Sequence, residues 1–322
     1  MPKQTPPQPR PKALYRVKNW SDYDKALVQR GSLTFWMSDD FETKWRHTGE
    51  KQRGSQFEYS EQAIRVMLTV KEVFHLTNRG VEGCVRSLFW LMTIPLPVPD
   101  HTTLSKRGQT VKVNLPKKAK SNLTIVMDST GLKIYGAGEW LQEKHKVRAR
   151  RTWRKLHLAI DANTGMIVAS TLTETDAGDP SQVGPLLDQT EGEIASVTAD
   201  GAYDGAPTYA TIAARGEQIK VIIPPRADAI LSGQADDSAS QRDRHIATIA
   251  VKGRLGWQEE SGYGRRSLVE TTMGRYKAII GPQLRARGLA GQCTEAAIGV
   301  AVLNRMLHAG RPKSVRSEQK NS

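Results

Sequence analysis

The sequence predicts an α/β fold, a mixed sheet with helices on its faces, preceded by a small all-α segment. Three observations predict it. After residue 120, short apolar runs alternate with helical patterns in the order β-β-β-β-α-β-α-β-α. Before that point the apolar spacing is helical. Between the two lies GQTVKVNLPKKAK, residues 108–120, with the composition of a basic linker.

The elements follow in order. Residues 1–19 are a Pro- and Lys-rich arm without an apolar run, read as disordered. Residues 20–56 are polar with scattered aromatics and support no assignment. Residues 60–79 predict a helix: Ser60 is a cap, Ile64, Met67, Leu68, Val70, Phe74 and Leu76 form an apolar face, and Gly80 is a stop. Residues 81–92 predict a second short helix. Pro95, Pro97 and Pro99 turn the chain, and Asp100 caps a third helix from His101 to Arg107. Three short helices with tight turns resemble a helix-turn-helix unit, a pattern shared by many small helical domains. Residues 20–120 are therefore expected to be a helical DNA-binding domain with its linker.

Leu123 to Met127 reads as a strand ending on Asp128, and Leu132 to Tyr135 as a second after a turn at Gly131. Trp153 to Ile160 and Met166 to Thr173 read as strands joined by the hairpin turn Asp161 to Gly165. Asp179-Pro180-Ser181 opens a helix to about Gln189, with proline in its first turn. Ile194 to Ala199 is a strand ending on Asp200. A helix over 206–214 and a strand over 219–223 follow. Residues 227–262 are polar and read as an insertion or surface loop. Helices over 265–280 and 293–308 close a domain spanning 121–310, and 311–322 read as a disordered tail.

Composition narrows the function. Lys plus Arg is 47 against 33 Asp plus Glu, a net charge of +14, which favours polyanionic partners. Two cysteines, Cys84 and Cys293, exclude a disulfide scaffold and fit a reducing cytoplasm. No apolar run reaches the roughly 20 residues of a membrane span, so no membrane role is expected. The charge is segregated. Residues 144–155, KHKVRARRTWRK, hold seven basic residues, and residues 156–204 hold nine acidic and no basic ones. A metal-dependent enzyme acting on a polyanion would need such an arrangement; a solvated face reads as readily from charge alone. Within the basic run Trp153 could stack on a displaced base, although a strand-face tryptophan is the commoner case.

Asp128 and Asp200 stand at strand ends, where α/β folds place ligands. Either alone reads first as a turn residue; the two together point to a site. In YGRRSLVETTMGRYK, residues 263–277, Tyr263, Arg266, Glu270 and Lys277 fall within an arc of about 60° at ~100° per helical residue. Glu270 could ligate metal while Arg266 and Lys277 grip phosphates. An exposed face with Arg266–Glu270 pairing at i,i+4 fits the spacing equally well.

The spacing Tyr-x2-Arg-x3-Glu-x6-Lys resembles the Y-R-E-K signature of bacterial insertion-sequence DDE transposases, matching at all four positions. VMDSTGLKIYG around Asp128, RRTWRKLHLAID, and TADGAYD around Asp200 resemble the first two acidic blocks of that class. The acids lie 72 and 70 residues apart, which also fits. RGSLTFWMSDD and the stretch from Tyr59 to Arg107 resemble a subgroup of insertion sequence family five. The likeness covers roughly residues 20–310.

That resemblance implies a ribonuclease H-like catalytic domain and a DNA transposase. Asp128, Asp200 and Glu270 would be the catalytic and metal-binding residues, holding two Mg²⁺ ions, with Mn²⁺ able to substitute. Such an enzyme would bind the terminal inverted repeats of its element, hydrolyse phosphodiester bonds at the ends and transfer the 3′-hydroxyls to target DNA. Tyr263 would contact phosphate rather than act as a nucleophile. DNA contacts are further expected from Arg266, Lys277, Arg148, Arg150, Arg151, Trp153, Arg154 and Lys155, and from Lys106 and Arg107. Pairing two DNA ends implies at least a homodimer on DNA, in the cytoplasm at the nucleoid, with no small-molecule substrate. A metal-dependent endonuclease of the same fold without strand transfer, or a DNA-binding regulator with structural acids, are the alternatives.

Overall fold

A computed structural model describes residues 15–38, 40–49, 54, 56–115, 122–134, 153–232 and 240–316. Strand β1 (Tyr15–Val17) leads into helices α1 (Trp20–Gln29), α2 (Leu33–Trp36), α3 (Glu61–Val73), α4 (Asn78–Leu91) and α5 (His101–Arg107). The sheet begins with β2 (Leu123–Ile134), β3 (Trp153–Asp161) and β4 (Ile167–Glu174). A 3-10 turn (Asp179–Gln182) precedes α6 (Val183–Asp188) and β5 (Ile194–Thr198). A second 3-10 turn (Gly201–Tyr203) leads to α7 (Ala206–Ala213), β6 (Lys220–Ile222) and α8 (Gln241–Ser261). A third (Tyr263–Arg266) runs into α9 (Ser267–Ile279), followed by β7 (Gln283–Leu284), α10 (Leu289–Ala309) and β8 (Ser314–Arg316).

The sheet has six strands in the order β4-β3-β2-β5-β6, with β7 joining the far end of β2. β2–β3 and β3–β4 are antiparallel, whereas β5, β6 and β7 run parallel to their partners. The fold is therefore mixed α/β, as the sequence predicts. Side-chain alternation along β2 divides its contacts between two cores. Ile125 and Met127 face a core with Leu186, Leu187, Ile212 and Val221. Val126 and Leu132 face the other, built with Val269, Met273 and Tyr276 of α9, Ile298 and Met306 of α10, and Ile64, Met67 and Val85 of α3 and α4. The N-terminal helices and the sheet thus share one apolar core.

Several expectations change. The single helix expected over 60–79 is broken at His75, whose φ of 53° lies in the left-handed region. Ser60 caps α3 by accepting from the Ala63 amide at 3.0 Å, and Thr77 caps α4 by accepting from the Gly80 amide at 3.0 Å. Gly80 therefore lies in the first turn of α4 instead of stopping α3. Asp100 caps α5 as expected, accepting from the Thr103 amide at 2.6 Å.

The two strands expected around Gly131 are one continuous strand. Gly131 pairs with Lys155 across the ladder, and a Cβ on it would lie 3.1 Å from the Trp153 ring. The glycine serves ring packing and makes no turn. The region read as loop carries α8, whose buried residues are only Asp243 and Trp257. Gly253, with φ 71°, interrupts it. Parts of the expected arm and tail are ordered: Tyr15–Val17 pairs with Ser314–Arg316, and the Asn19 side chain bonds the main chain of Arg311 and Lys313. Residues 1–14 and 317–322 lie outside the described residues. Among the described residues no helix is long and apolar enough to cross a membrane.

Candidate active site

The sheet register creates an opening beside β2. β5 pairs with β2 only as far as Val126↔Thr198, and β7 joins only at Lys133. Asp128 stands in the gap between them, in the middle of β2 and not at its end. Asp200 lies two residues beyond β5, so it reaches the same gap. It caps the following 3-10 turn, its Oδ1 accepting from the Ala202 amide at 2.9 Å. Asp128 shares the strand face of Val126 and Leu132, the face covered by α9, which carries Glu270 in its first turn.

Arg266 joins the three acids. Its guanidinium donates to Asp128 Oδ2 at 2.8 Å and to Glu270 Oε1, and lies 3.7 Å from Asp200 Oδ2. The acids differ in environment. The Asp128 side chain is 12% exposed, whereas that of Glu270 is 53% exposed and that of Asp200 33%. Burial pushes the Asp128 carboxyl above its ordinary pKa; the Ser129 amide and Arg266 oppose this, and the charges of Asp200 and Glu270 add to it. Arg266 Nε is buried and has no hydrogen-bond partner among the described residues.

Tyr263 and Arg266 do not share a helix with Glu270 and Lys277. Residues 263–266 form a 3-10 turn after the left-handed Gly262, and α9 starts at Ser267. The tighter winding turns Arg266 onto the acids. The Tyr263 ring packs on Trp257 of α8, centroids 5.3 Å apart, and burial raises its phenol pKa. Lys277 is about two turns past Glu270, half-buried, and makes no ion pair among the described residues.

Of the basic run, only Trp153, Arg154 and Lys155 are among the described residues. Trp153 lies on β3 over Gly131, with Lys133 Nζ 5.6 Å from its ring. Arg154 Nε donates to Gln292 Oε1 at 3.0 Å and its guanidinium lies 3.5 Å from Glu174. Lys155 Nζ donates to the Ala177 carbonyl and to Asp179. Arg107 lies over the Phe57 ring and donates to the Tyr59 carbonyl at 3.0 Å. The fold therefore occupies Arg154, Lys155 and Arg107 internally. Arg148, Arg150 and Arg151 lie outside the described residues. Lys106 is exposed at the end of α5.

Two residues near the acids had no assignment. The Tyr203 hydroxyl is buried without a partner among the described residues, and burial raises its pKa, helped by Asp179, Asp128 and Asp200. An aromatic three residues after Asp200 was its only signal. Trp257, which supports Tyr263, also donates from Nε1 to His245 Nδ1 at 3.0 Å. Nothing in the polar run around it marks that role. Asp204 is structural: it takes a two-toothed contact from Arg242 and accepts from the Arg226 amide at 3.0 Å.

As placed, no three His, Cys, Asp or Glu side chains among the described residues stand close enough to share one metal ion. The donors are nonetheless all carboxylate oxygens, and they already gather a positive charge in Arg266. That chemistry suits a hard divalent cation.

Two family models described as transposase DDE domain match the chain, one over residues 28–137 and one over residues 120–305. Among solved structures, a chain in the cryo-EM structure of the piggyBac transposase synaptic complex with hairpin DNA is 10% identical, with 92% of this chain and 78% of that chain covered at a TM-score of 0.37. A likeness at that score carries no weight beside the family match. The second family model spans more than half of the sequence, and the chain belongs to the transposase DDE domain family.

Proposed function

We propose that the chain is an insertion-sequence DNA transposase of the Y-R-E-K type. It cuts DNA at the terminal inverted repeats of its element and joins the freed 3′-hydroxyls to target DNA, acting at least as a dimer on DNA. The observation that carries this reading is the convergence of Asp128, Asp200 and Glu270, from three separate elements, on one guanidinium.

Asp128, Asp200 and Glu270 are the residues that would hold divalent ions, Mg²⁺ or Mn²⁺. Two such ions, when bound, activate the attacking oxygen and stabilise the leaving oxygen of an in-line phosphoryl displacement. The chain's own groups do the rest. Asp128 fixes the site, because its strand is held by β5 before the gap and by β7 after it. Glu270, half-exposed on the first turn of α9, can adjust to the ligand. Arg266 compensates the three negative charges in the free protein. Tyr263, braced by Trp257, borders the same site and can donate to phosphate.

The test is a supercoiled plasmid bearing the inverted repeats that flank the gene, incubated with purified protein and Mg²⁺ or EDTA. Metal-dependent cuts at the repeat ends with joined products are expected. Metal-dependent nicking without end preference would replace the reading with that of a simple nuclease.

A further inference from the structure

A second basic site lies away from the three acids. A cleft of about 520 Å³ is bounded by Thr77, Asn78, Arg79, Thr102, Lys106 and Arg287, with His101 and Ser105 at its sides. It gathers the start of α4, the exposed face of α5 and the loop after β7. No acid lines it. Two carboxylates that contact α5 are engaged: Glu82 accepts from the His101 amide and binds Arg86, and Asp100 accepts from Thr102 and the Thr103 amide. The adjoining buried acids Glu72 and Glu295 are held by Arg285, by Lys71 and by the Arg285 and Ala286 amides. Arg79, Lys106 and Arg287 are exposed and form no ion pair among the described residues. Three unpaired cations beside hydroxyl and amide donors, in a cleft without acids, are the features of a polyphosphate contact.

Its position fits one polymer running through both sites. β7 pairs with β2 at Ile134↔Leu284, on the edge where Asp128 stands in the gap, and Arg287 follows three residues after Leu284. Six residues of strand separate Asp128 from Ile134, about 20 Å at ~3.3 Å each.

We infer that Arg79, Lys106 and Arg287 form a phosphate-anchoring groove that holds duplex DNA at a distance from the cleavage site. The inference rests on the transposase reading and adds a binding surface to it. The groove contributes position and affinity and takes no part in the chemistry.

The test measures binding by fluorescence anisotropy, in EDTA, of a labelled duplex carrying the terminal inverted repeat, over a range of salt. Wild type is compared with the Arg79→Gln/Lys106→Gln/Arg287→Gln triple variant and the Lys106→Gln/Arg287→Gln double variant. A control replaces three other exposed cations, Arg16, Lys25 and Arg244, by Gln. Each phosphate contact contributes ~0.9 to the slope of log affinity against log salt, so the triple variant is expected to lose about 2.7 and the double about 1.8. The control is expected to lose less than one contact's worth. Equal losses in groove and control variants, or an unchanged slope in the groove variants, would overturn the groove. Failure of the wild-type protein to bind the duplex would instead overturn the transposase reading itself.

Discussion

Replacing Arg266 by Gln removes a cation that three carboxylates share. The cost follows from how each acid is exposed. Breaking a fully buried ion pair costs about 3–5 kcal/mol, because a charge is left without compensation. Only Asp128 approaches that case, its side chain 12% exposed. The Arg266 side chain is itself 21% exposed, and the Glu270 contact is half-solvated, worth ~0–1 kcal/mol. A net loss of about 2 kcal/mol at pH 7.5 is expected. The pH dependence identifies the cause. The folded protein holds the Asp128 proton more tightly than the unfolded chain does, since burial raises the pKa. Stability from this group therefore falls as pH rises from the ordinary carboxylate range through the folded-state pKa. Arg266 limits that penalty; without it the pKa rises further and the penalty above it grows. Urea denaturation in EDTA at pH 7.5 and pH 4.5 should show a deficit of about 2 kcal/mol at the higher pH and a clearly smaller one at the lower. An equal deficit at both pH values would refute the argument, as would no deficit at either.

Two other substitutions probe the scaffold. A Cβ at Gly299 would meet the Tyr276 hydroxyl at 2.8 Å and Ile280 Cγ2 at 3.0 Å, so Gly299→Ala should cost about 1–3 kcal/mol in a denaturation curve despite alanine's better helix propensity. Arg242→Met strips both contacts from the fully buried Asp204 carboxylate and leaves it the Arg226 amide; a loss of about 2–3 kcal/mol is expected in a denaturation curve at neutral pH.

The sheet was legible where apolar alternation is strong. β3, β4 and β5 lie within a residue or two of expectation, because each strand's pattern is set by burial on a fixed face. β2 was not read whole, because Gly131 looks like a turn when the ring it accommodates is 22 residues away. α8 was missed because only two of its residues are buried, leaving no apolar stripe to find. The breaks at His75 and Gly253 depend on backbone conformation that residue type does not announce. The three acids of the candidate site were picked out through their resemblance to a known spacing. Their shared contact with Arg266 was legible only as an i,i+4 pair with Glu270; the reach to Asp128 and Asp200 comes from the 3-10 turn at 263–266 and the gap in the sheet. The internal partners of Arg154, Lys155 and Arg107 are distant in sequence, so a basic run could not disclose them.

On the proposed reading, Asp128, Asp200 and Glu270 act as one catalytic set on DNA. The most direct measurement assays Asp128→Asn, Asp200→Asn and Glu270→Gln for cleavage of the repeat-bearing plasmid in Mg²⁺, alongside duplex binding in EDTA. Each variant is expected to lose cleavage by at least about a hundredfold, the scale of removing one preorganised catalytic group, while still binding the duplex. Cleavage retained by any one of the three would contradict the assignment.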